Sequence, residues 1–420
     1  TLPVIRDFDN RTYIKEDAGK ILVGIFEGNS IPAWNDTNKV PEDFSFGEFQ
    51  ENFEHFEPYL ASAIERFPVL KEAGIRKFFS GPESFTPDTN TLLGEVPEVK
   101  NFFVCCGLNS IGIGSGGGVG KVTAEWLMTG HINEDIFSYD IKRFQKFHSE
   151  LGFIKKRSTE SLGDLYGMHW PFKQHKTSRN VKTLPHHNNL KSFGACFGVS
   201  AGYERPMWFA LDGEKSEYQY SYNYQNWYPS AEYETNNTIK NVGLFDLTPF
   251  SKFEIKSDKA HQELQKICTA NIKNEPGKCV YTHMLNPDGG IETDLTVVCI
   301  ENNHFRIISS AATRERDKFH IKKYLSNDIE LKDITDDLCV FGLFGPKSRD
   351  LIKTLSEDNF ENDQFRFGFA KFITIDGVKI WTQRLSYVGE LGYELYVNLK
   401  DTKKIYELLI EKGKDFNLSN

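Results

Sequence analysis

Residues 101–130 read NFFVCC-GLNSIGIGSGGGVGK-VTAEWLMTG, a run of glycines between a strand-like stretch and a helix-like one. Gly112, Gly114 and Gly117 satisfy a GxGxxG spacing. Glycines let backbone amides approach a ligand closely, and the helix that follows aims its first N–H groups and the positive end of its dipole at the same spot. One use of that chemistry is a dinucleotide pyrophosphate site, but that fingerprint belongs in a βαβ unit with an acid closing the second strand about 20 residues on. Here HINEDIFSYDIKRFQKFH follows, a turn and a helical stretch with no second buried strand. A second use lays the helix start against a flavin ring, whose reduction develops negative charge that the dipole stabilises. A third reading is a tight strand-to-helix turn with nothing bound.

Two further segments carry carboxylates among apolar residues. In YTHMLNPDGGIETDLTV (281–297), Asn286 to Gly290 form a turn between two strands, and the return strand carries Glu292, Asp294 and Thr296 on one face. A carboxylate entering an apolar strand is costly unless it is paired, functional or solvated, so Asp294 is either a surface residue or a working one. In LSYVGELGYELYV (385–397), the turn VGELG lies between apolar strands, and Tyr393 and Leu395 alternate with Glu394 and Tyr396. His169, His175, His186, His187 and His283 have no Cys or carboxylate neighbours at metal-ligand spacing, so no metal site is expected. GxSxG, P-loop and HExxH motifs are absent from the sequence.

The elements that must position these residues divide the chain into three expected regions. Residues 1–148 alternate strand-like and helix-like segments: the strand ILVGIF, a helix over SFGEFQENFEHFEPYLASAIERF, the strand NFFVCC and a helix over VGKVTAEWLMTG. Residues 149–205 are rich in Lys, His, Pro and Asn with weak periodicity, and read as a connector packed on its neighbours. From 206 to 420, short strands (KFEIKS, TVVCIE, HFRIISS, CVFGLFG, KFITIDGVKIWTQRL) alternate with helices (AHQELQKICTANI, TRERDKFHIKKYL, SRDLIKTLS), which predicts antiparallel sheets covered by helices. The fold class is therefore a mixed α+β or α/β multidomain arrangement.

Composition narrows the partners. The net charge of −9 and pI near 5.7 argue against a nucleic-acid partner, which a basic face usually meets. No apolar run reaches the roughly 18 residues that span a bilayer, and TLPVIRDFDN is not a signal peptide. Seven Cys scattered without CxxC pairs support neither a disulfide scaffold nor structural zinc, which fits a reducing compartment. The sequence starts at Thr1 without Met and stops after the helical stretch KKIYELLIEKG, so truncation at both ends is expected.

The segments RDFDNRTYIKEDAGKILVGIFE, SGPESFTPDTNTLLGEVPEVKNFFVCCGLNSIGIGSGGGVGKVTAEWLMTG and DIKRFQKFH resemble the carboxy-terminal part of the D-amino-acid-oxidase-like (DAO-like) FAD domain of the dimethylglycine and sarcosine dehydrogenases. YGMHWPFKQHKTSRNVKTLPHHNNLKSFGACFGVSAGYERPMWF resembles their central connector. YTHMLNPDGGIETDLTV, FGLFGPKSRDLI and LSYVGELGYELYV resemble their folate domain, which is similar to the aminomethyltransferase (GcvT) of the glycine cleavage system. The resemblance implies FAD and tetrahydrofolate as cofactors, with Gly107, Leu108, Asn109, Ser110, Ile111, Gly112 and Ile113 against the flavin and Gly116 to Gly118 and Lys121 closing the helix start. It also implies that Asp294 is catalytic, orienting the pterin-side amine and accepting a proton, that Tyr387 stacks on the folate ring, that Glu394 bonds the aminopyrimidine edge, and that Leu395 and Tyr396 continue that wall. The family's amino-terminal βαβ unit is missing from this sequence, so the chain alone is not expected to hold FAD tightly. Ile25 and Gly28 depart from the Gly and Pro of the family's LVGGFEP, beside Phe26, Glu27 and a Tyr13 that either faces substrate or packs in the sheet.

The implied activity is FAD-dependent oxidative demethylation of an N-methylated glycine, dimethylglycine or sarcosine, with the one-carbon unit passed to tetrahydrofolate. An electron-transfer flavoprotein would take the electrons, in a bacterial cytoplasm or a mitochondrial matrix. The rival expectation is a non-catalytic subunit resembling the regulatory subunit of pyruvate dehydrogenase phosphatase, which shares SGPESFTPD. Retention of Asp294, Tyr387 and Glu394 favours the enzyme.

Overall fold

A computed structural model describes residues 2–132 and 134–420. The chain forms two compact units that divide near residue 178, one built chiefly from residues 2–141 and 146–170, the other from 179–420.

In the first unit, β1 (Ile5–Asp7), β2 (Thr12–Asp17) and β3 (Lys20–Ile25) form an antiparallel sheet in that order. α1 (Phe53–Arg66) starts where the Asn52 side chain accepts a hydrogen bond from the His55 N–H at 3.0 Å. The helix expected from Ser45 therefore begins eight residues later, because the capping oxygen stops it at Asn52. β4 (Leu92–Glu95) and β5 (Phe103–Cys106) pair antiparallel and lead into α2 (Gly112–Thr129). α2 takes in the glycines that looked like a turn, seven residues ahead of the expected start at Val119, and it ends on Gly130 in the left-handed conformation. DIKRFQKFH folds as short 3₁₀ turns rather than one helix, and α3 (Leu151–Asp164) closes the unit. The carbonyl of Gly28 approaches so near Gly163 of α3 that a Cβ there would lie 2.4 Å from it.

In the second unit, α4 (His187–Ser192), the hairpin β6 (Ala195–Ser200) and β7 (Tyr203–Phe209), and α5 (Tyr228–Lys240) precede two sheets. Half of the expected connector thus belongs with each unit. The remaining elements are β8 (Val242–Asp246), β9 (Ser251–Lys256), α6 (Ala260–Ile267), β10 (Cys279–Leu285), β11 (Ile291–Glu301), β12 (His304–Ser309) and α7 (Arg314–Tyr324). They continue with β13 (Leu331–Asp333), β14 (Leu338–Phe344), α8 (Ser348–Lys353), β15 (Ala370–Ile375), β16 (Val378–Gln383), β17 (Gly392–Asn398), α9 (Thr402–Gly413) and β18 (Leu418–Ser419). The five-stranded sheet runs β10-β11-β12-β9-β13 and the six-stranded sheet β15-β16-β17-β14-β8-β18.

Local chemistry sets the hairpins. Between β10 and β11 the Asn286 carboxamide accepts from the Asp288 and Gly290 amides, and Gly289 sits at φ +85°. Between β15 and β16 the pair Asp376-Gly377 takes positive φ at both residues, the two-residue turn whose twist matches the flanking strands.

Each sheet has a helix-covered face. Phe341, Leu343, Ile380, Tyr393 and Leu395 pack with Leu351 and Ile352 of α8 and Ile405, Tyr406 and Leu409 of α9. Phe253, Ile255, Leu295, Val297, Phe305 and Ile307 pack with Leu264 of α6 and Ile321 of α7. The opposite faces meet each other through Val298, Ile308, Val340, Trp381 and Tyr396. This places a β-sandwich between two helical layers, and any ligand cleft must open where the two bare sheet faces diverge.

Candidate functional site

A cleft lies where those faces diverge, lined by Leu247, Phe250, Thr296, Ile308, Val340, Gln383, Leu385, Tyr387, Glu394 and Tyr396, with about 290 Å³ of space including its mouth. Strand register builds its floor. Gly342 of β14 stands opposite Glu394 of β17, and Glu394 stands opposite Gln383 of β16. A Cβ at Gly342 would come within 2.5 Å of the Phe344 ring and 2.9 Å of Leu247, so a side chain there would close the floor beside Glu394.

Glu394 is 4% exposed and its Oε2 accepts the Tyr396 hydroxyl at 2.8 Å. Burial pushes its carboxyl up to about 7, against that hydrogen bond. Gln383 is fully buried, and neither its amide oxygen nor its amide nitrogen has a partner among the described residues. The Tyr396 ring faces the Arg306 guanidinium at 5.5 Å. Tyr387 stacks on Phe250 with centroids 5.9 Å apart and 17° between planes. The loop that presents Leu247 and Phe250 is held by buried Lys252, whose Nζ donates to the carbonyls of Thr248 and Phe250 at 2.8 Å each. Burial pushes the Lys252 ammonium down to about 7.

The structure brings Tyr387, Glu394 and Tyr396 together and sends Leu395 away. Leu395 is fully buried in the helix-covered core on the other face of β17, because successive strand residues alternate faces. Asp294 is solvated at the rim, where its Oδ2 accepts the Tyr281 hydroxyl at 3.1 Å, and it shares a face of β11 with Thr296 of the cleft lining. Sequence reasoning missed Gln383, Phe250 and Lys252. For Gln383 the signal was available: a polar residue ends the apolar run VKIWTQ, the same pattern that drew attention to Asp294.

The glycine turn lies in the first unit. Gly107, Asn109 and Ser110 take left-handed φ of +64°, +49° and +69°. Asn109 knits the turn, accepting from the Thr86 N–H at 2.8 Å and donating to the Gly107 carbonyl at 2.6 Å. No strand follows α2 before β6 among the described residues, so the βαβ context of a pyrophosphate fingerprint is absent there. Ile111, the residue before α2, provides no side-chain cap, so the first N–H groups of the helix are not satisfied by a capping side chain. A Cβ at Gly114, Gly116, Gly117 or Gly118 would meet nothing within 4 Å, and Ile111 and Ile113 are exposed. Leu108 is half-buried, its side chain 3.0 Å from a Cβ built on Gly112. The beginning of α2 is therefore an open amide end with a side-chain-free face.

The histidines differ in surroundings. His186 is fully buried against Tyr406 (4.7 Å between centroids) and Phe341 (5.1 Å), and burial pushes it down to about 4. His175 lies in space beside Glu160 and Asp164, with ligand atoms within 4.8 Å of one another, although sequence spacing gave it no carboxylate neighbour. Glu160 is occupied by the Lys176 and Thr177 amides, the Thr177 hydroxyl and Arg157.

Comparison with known families follows this division. The GCVT N-terminal domain profile matches residues 186–420, the "FAD dependent oxidoreductase central domain" matches 129–183, and the "FAD dependent oxidoreductase" profile matches 1–126. The chain belongs to this fused FAD-oxidoreductase and GCVT family. In the GCVT domain the cleft described above occupies the gap between the two sheets. The chain is similar to 4-methylaminobutanoate oxidase (formaldehyde-forming) of Paenarthrobacter nicotinovorans, with 38% identity over 99% of this chain and 50% of that one. It is also similar to human mitochondrial sarcosine dehydrogenase, 31% identical over 100% of this chain and 50% of that one. The mitochondrial pyruvate dehydrogenase phosphatase regulatory subunit of Mus musculus is 31% identical over 100% and 48%. The chain spans about half the length of these relatives. No helix among the described residues is long and apolar enough to cross a membrane.

Proposed function

We propose that this chain is part of an FAD-dependent enzyme that oxidatively demethylates an N-methylated amino acid and passes the one-carbon unit to tetrahydrofolate. The observation that carries the reading is the GCVT-domain cleft, where a buried, nearly unpaired carboxylate, Glu394, sits below a stacked Tyr387–Phe250 pair. A carboxylate that gains two N–H donors recovers its solvation, which is what an aminopyrimidine edge offers. Aromatic faces at the mouth suit a flat heterocycle. The donor set therefore fits tetrahydrofolate.

The start of α2 fits a flavin for a separate reason. Its amides are uncapped and its glycine face leaves room for a ring to approach, so Gly107 to Ile113 would contact the isoalloxazine, with FAD's remaining contacts supplied from outside these residues. When bound, the flavin supplies two-electron oxidation at the N-methyl carbon, and tetrahydrofolate supplies the nucleophilic amine.

This chain's residues then have distinct tasks. Glu394 and Tyr396 orient the pterin, and Tyr387 holds its face. Asp294, at the rim and steadied by Tyr281, accepts the proton released as the folate amine attacks the one-carbon iminium or formaldehyde. Joining both chemistries in one polypeptide keeps that electrophile from water.

The relatives' names differ in the spacing between amine and carboxylate, as in sarcosine and 4-methylaminobutanoate. Dimethylglycine and sarcosine remain the proposed substrates, with the longer amino acid as the competitor. An electron-transfer flavoprotein is the proposed acceptor. The test is anaerobic mixing of the full-length parent protein with each amine while following bleaching of the oxidised flavin band. Bleaching within seconds by one of them supports the reading and ranks the substrates. A protein without flavin, or a flavin untouched by all three, supports the regulatory-subunit reading that the third relative represents.

A further inference from the structure

We infer that Gln383 is a specificity-determining residue of the cleft, reading the ring carbonyl of a 4-oxo pterin beside the edge that Glu394 holds. The inference rests on the proposed folate site and deepens it. Gln383 has no exposed surface, yet both ends of its amide lack a partner among the described residues, and it lines the cleft. Burying an amide without hydrogen bonds is unfavourable, and such groups in a lined cavity are normally completed by an occupant. Its cross-strand neighbour is Glu394. Facing residues on paired strands stand about 4.5–5.5 Å apart at Cβ.

The two side chains differ in what they offer. An ionised Glu394 only accepts, so it takes the N–H groups of an aminopyrimidine. The Gln383 amide both donates and accepts. Beside the 2-amino and ring N–H groups of a pterin stands a carbonyl, which requires a donor, and Gln383 Nε2 is the unused donor on that floor. Gln383 Oε1 remains to accept a neighbouring ring or side-chain N–H. A 4-amino analogue presents a donor where the carbonyl was and lacks the ring N–H beside it, so Gln383 must turn its amide oxygen inward and Glu394 loses one of its two donors. The pair Glu394–Gln383 thus selects a lactam over an amidine.

The test measures dissociation constants of tetrahydrofolate and of its 4-amino analogue by quenching of protein fluorescence, in the full-length protein and in Gln383→Met and Gln383→Glu variants. The wild type is expected to prefer the 4-oxo ligand at least tenfold. Gln383→Met keeps the volume, removes two unpartnered polar atoms, and should not lower the melting temperature. It should weaken tetrahydrofolate roughly tenfold to a hundredfold and shrink the preference to the part that Glu394 carries. Gln383→Glu, which accepts where the amide donated, should turn the preference toward the 4-amino analogue. Unchanged binding in Gln383→Met, or equal weakening of both ligands, would overturn the inference while leaving the folate reading in place. Failure of the wild type to bind tetrahydrofolate would overturn both.

Discussion

At the residue scale, the roles proposed for Glu394 and Asp294 divide recognition from chemistry. The free carboxyl of Glu394 sits at about 7 because of burial, and only its ionised form accepts two N–H donors. Tetrahydrofolate affinity should therefore fall as pH drops below about 7, and Glu394→Gln should flatten that dependence as well as weaken binding, which titrations between pH 5.5 and 8.5 would read. The sign for stability is opposite. A carboxyl whose folded pKa is raised holds its proton better in the native state, so its contribution is present at low pH and is lost as pH rises through about 7. In the absence of ligand, Glu394→Gln should melt higher than wild type at pH 8.5 and close to it at pH 5. Asp294→Ala should leave flavin bleaching unchanged while slowing formation of methylenetetrahydrofolate on the order of 10²- to 10⁴-fold, the usual reach of general-base catalysis. Equal losses in both assays would remove Asp294 from that role.

At the element scale, the sequence was most legible where a period or a turn residue leaves one solution. The Asn286–Gly290 hairpin and the alternation through Tyr393 to Tyr396 appear as expected, whereas KFITIDGVKIWTQRL, expected as one strand, turns at Asp376-Gly377 into the pair β15 and β16. Helix starts were less legible. Six glycines from Gly112 to Gly120 argue for a loop by propensity, yet they form the first half of α2. Leu395 follows the alternation into the helix-covered core, whereas the resemblance had placed it beside Tyr396 on the ligand wall. That Gln383 stands opposite Glu394 was not legible, because the partner across the sheet depends on register, which a single sequence does not state. The glycine face of α2 gives a prediction of its own. Gly117→Ala has open space around it and should stabilise this chain by about 0.5–1 kcal/mol in urea titration, while the full-length protein loses flavin. Retained flavin would mean that the face meets nothing. The slot between β14 and α9 carries another. His186 is depressed to about 4, so the unfolded chain binds its proton first on acidification and stability falls between pH 6.5 and 4. His186→Phe should recover on the order of 2 kcal/mol of that loss at pH 5, seen as a smaller shift in urea midpoint between pH 7.5 and 5.

At the scale of the whole molecule, two compact units should not melt as one. Calorimetry of this chain should show two transitions, and tetrahydrofolate should raise only the one belonging to residues 179–420, by RT ln(1 + [L]/Kd). A single transition shifted as a whole would contradict that separation. The division near residue 178 was the least readable boundary in the sequence, because the Lys-, His- and Asn-rich stretch 149–205 contributes α3 to one unit and β6 and β7 to the other. Compositional change marks a connector, whereas packing decides which body it joins.

The floor of the cleft has a consequence for how recognition can change. Gly342, Glu394 and Gln383 stand on adjacent strands, so the distance between them is set by backbone hydrogen bonds rather than by the side chains that occupy the positions. The sheet acts as a ruler whose graduations are fixed and whose markings are replaceable. Exchanging the amide or the acid along that row rewrites which heterocycle edge is legible while the span stays the same, and Gly342 keeps the floor open. Selectivity for new ring systems is accordingly open to single substitutions, and loss of the fold is not their usual companion.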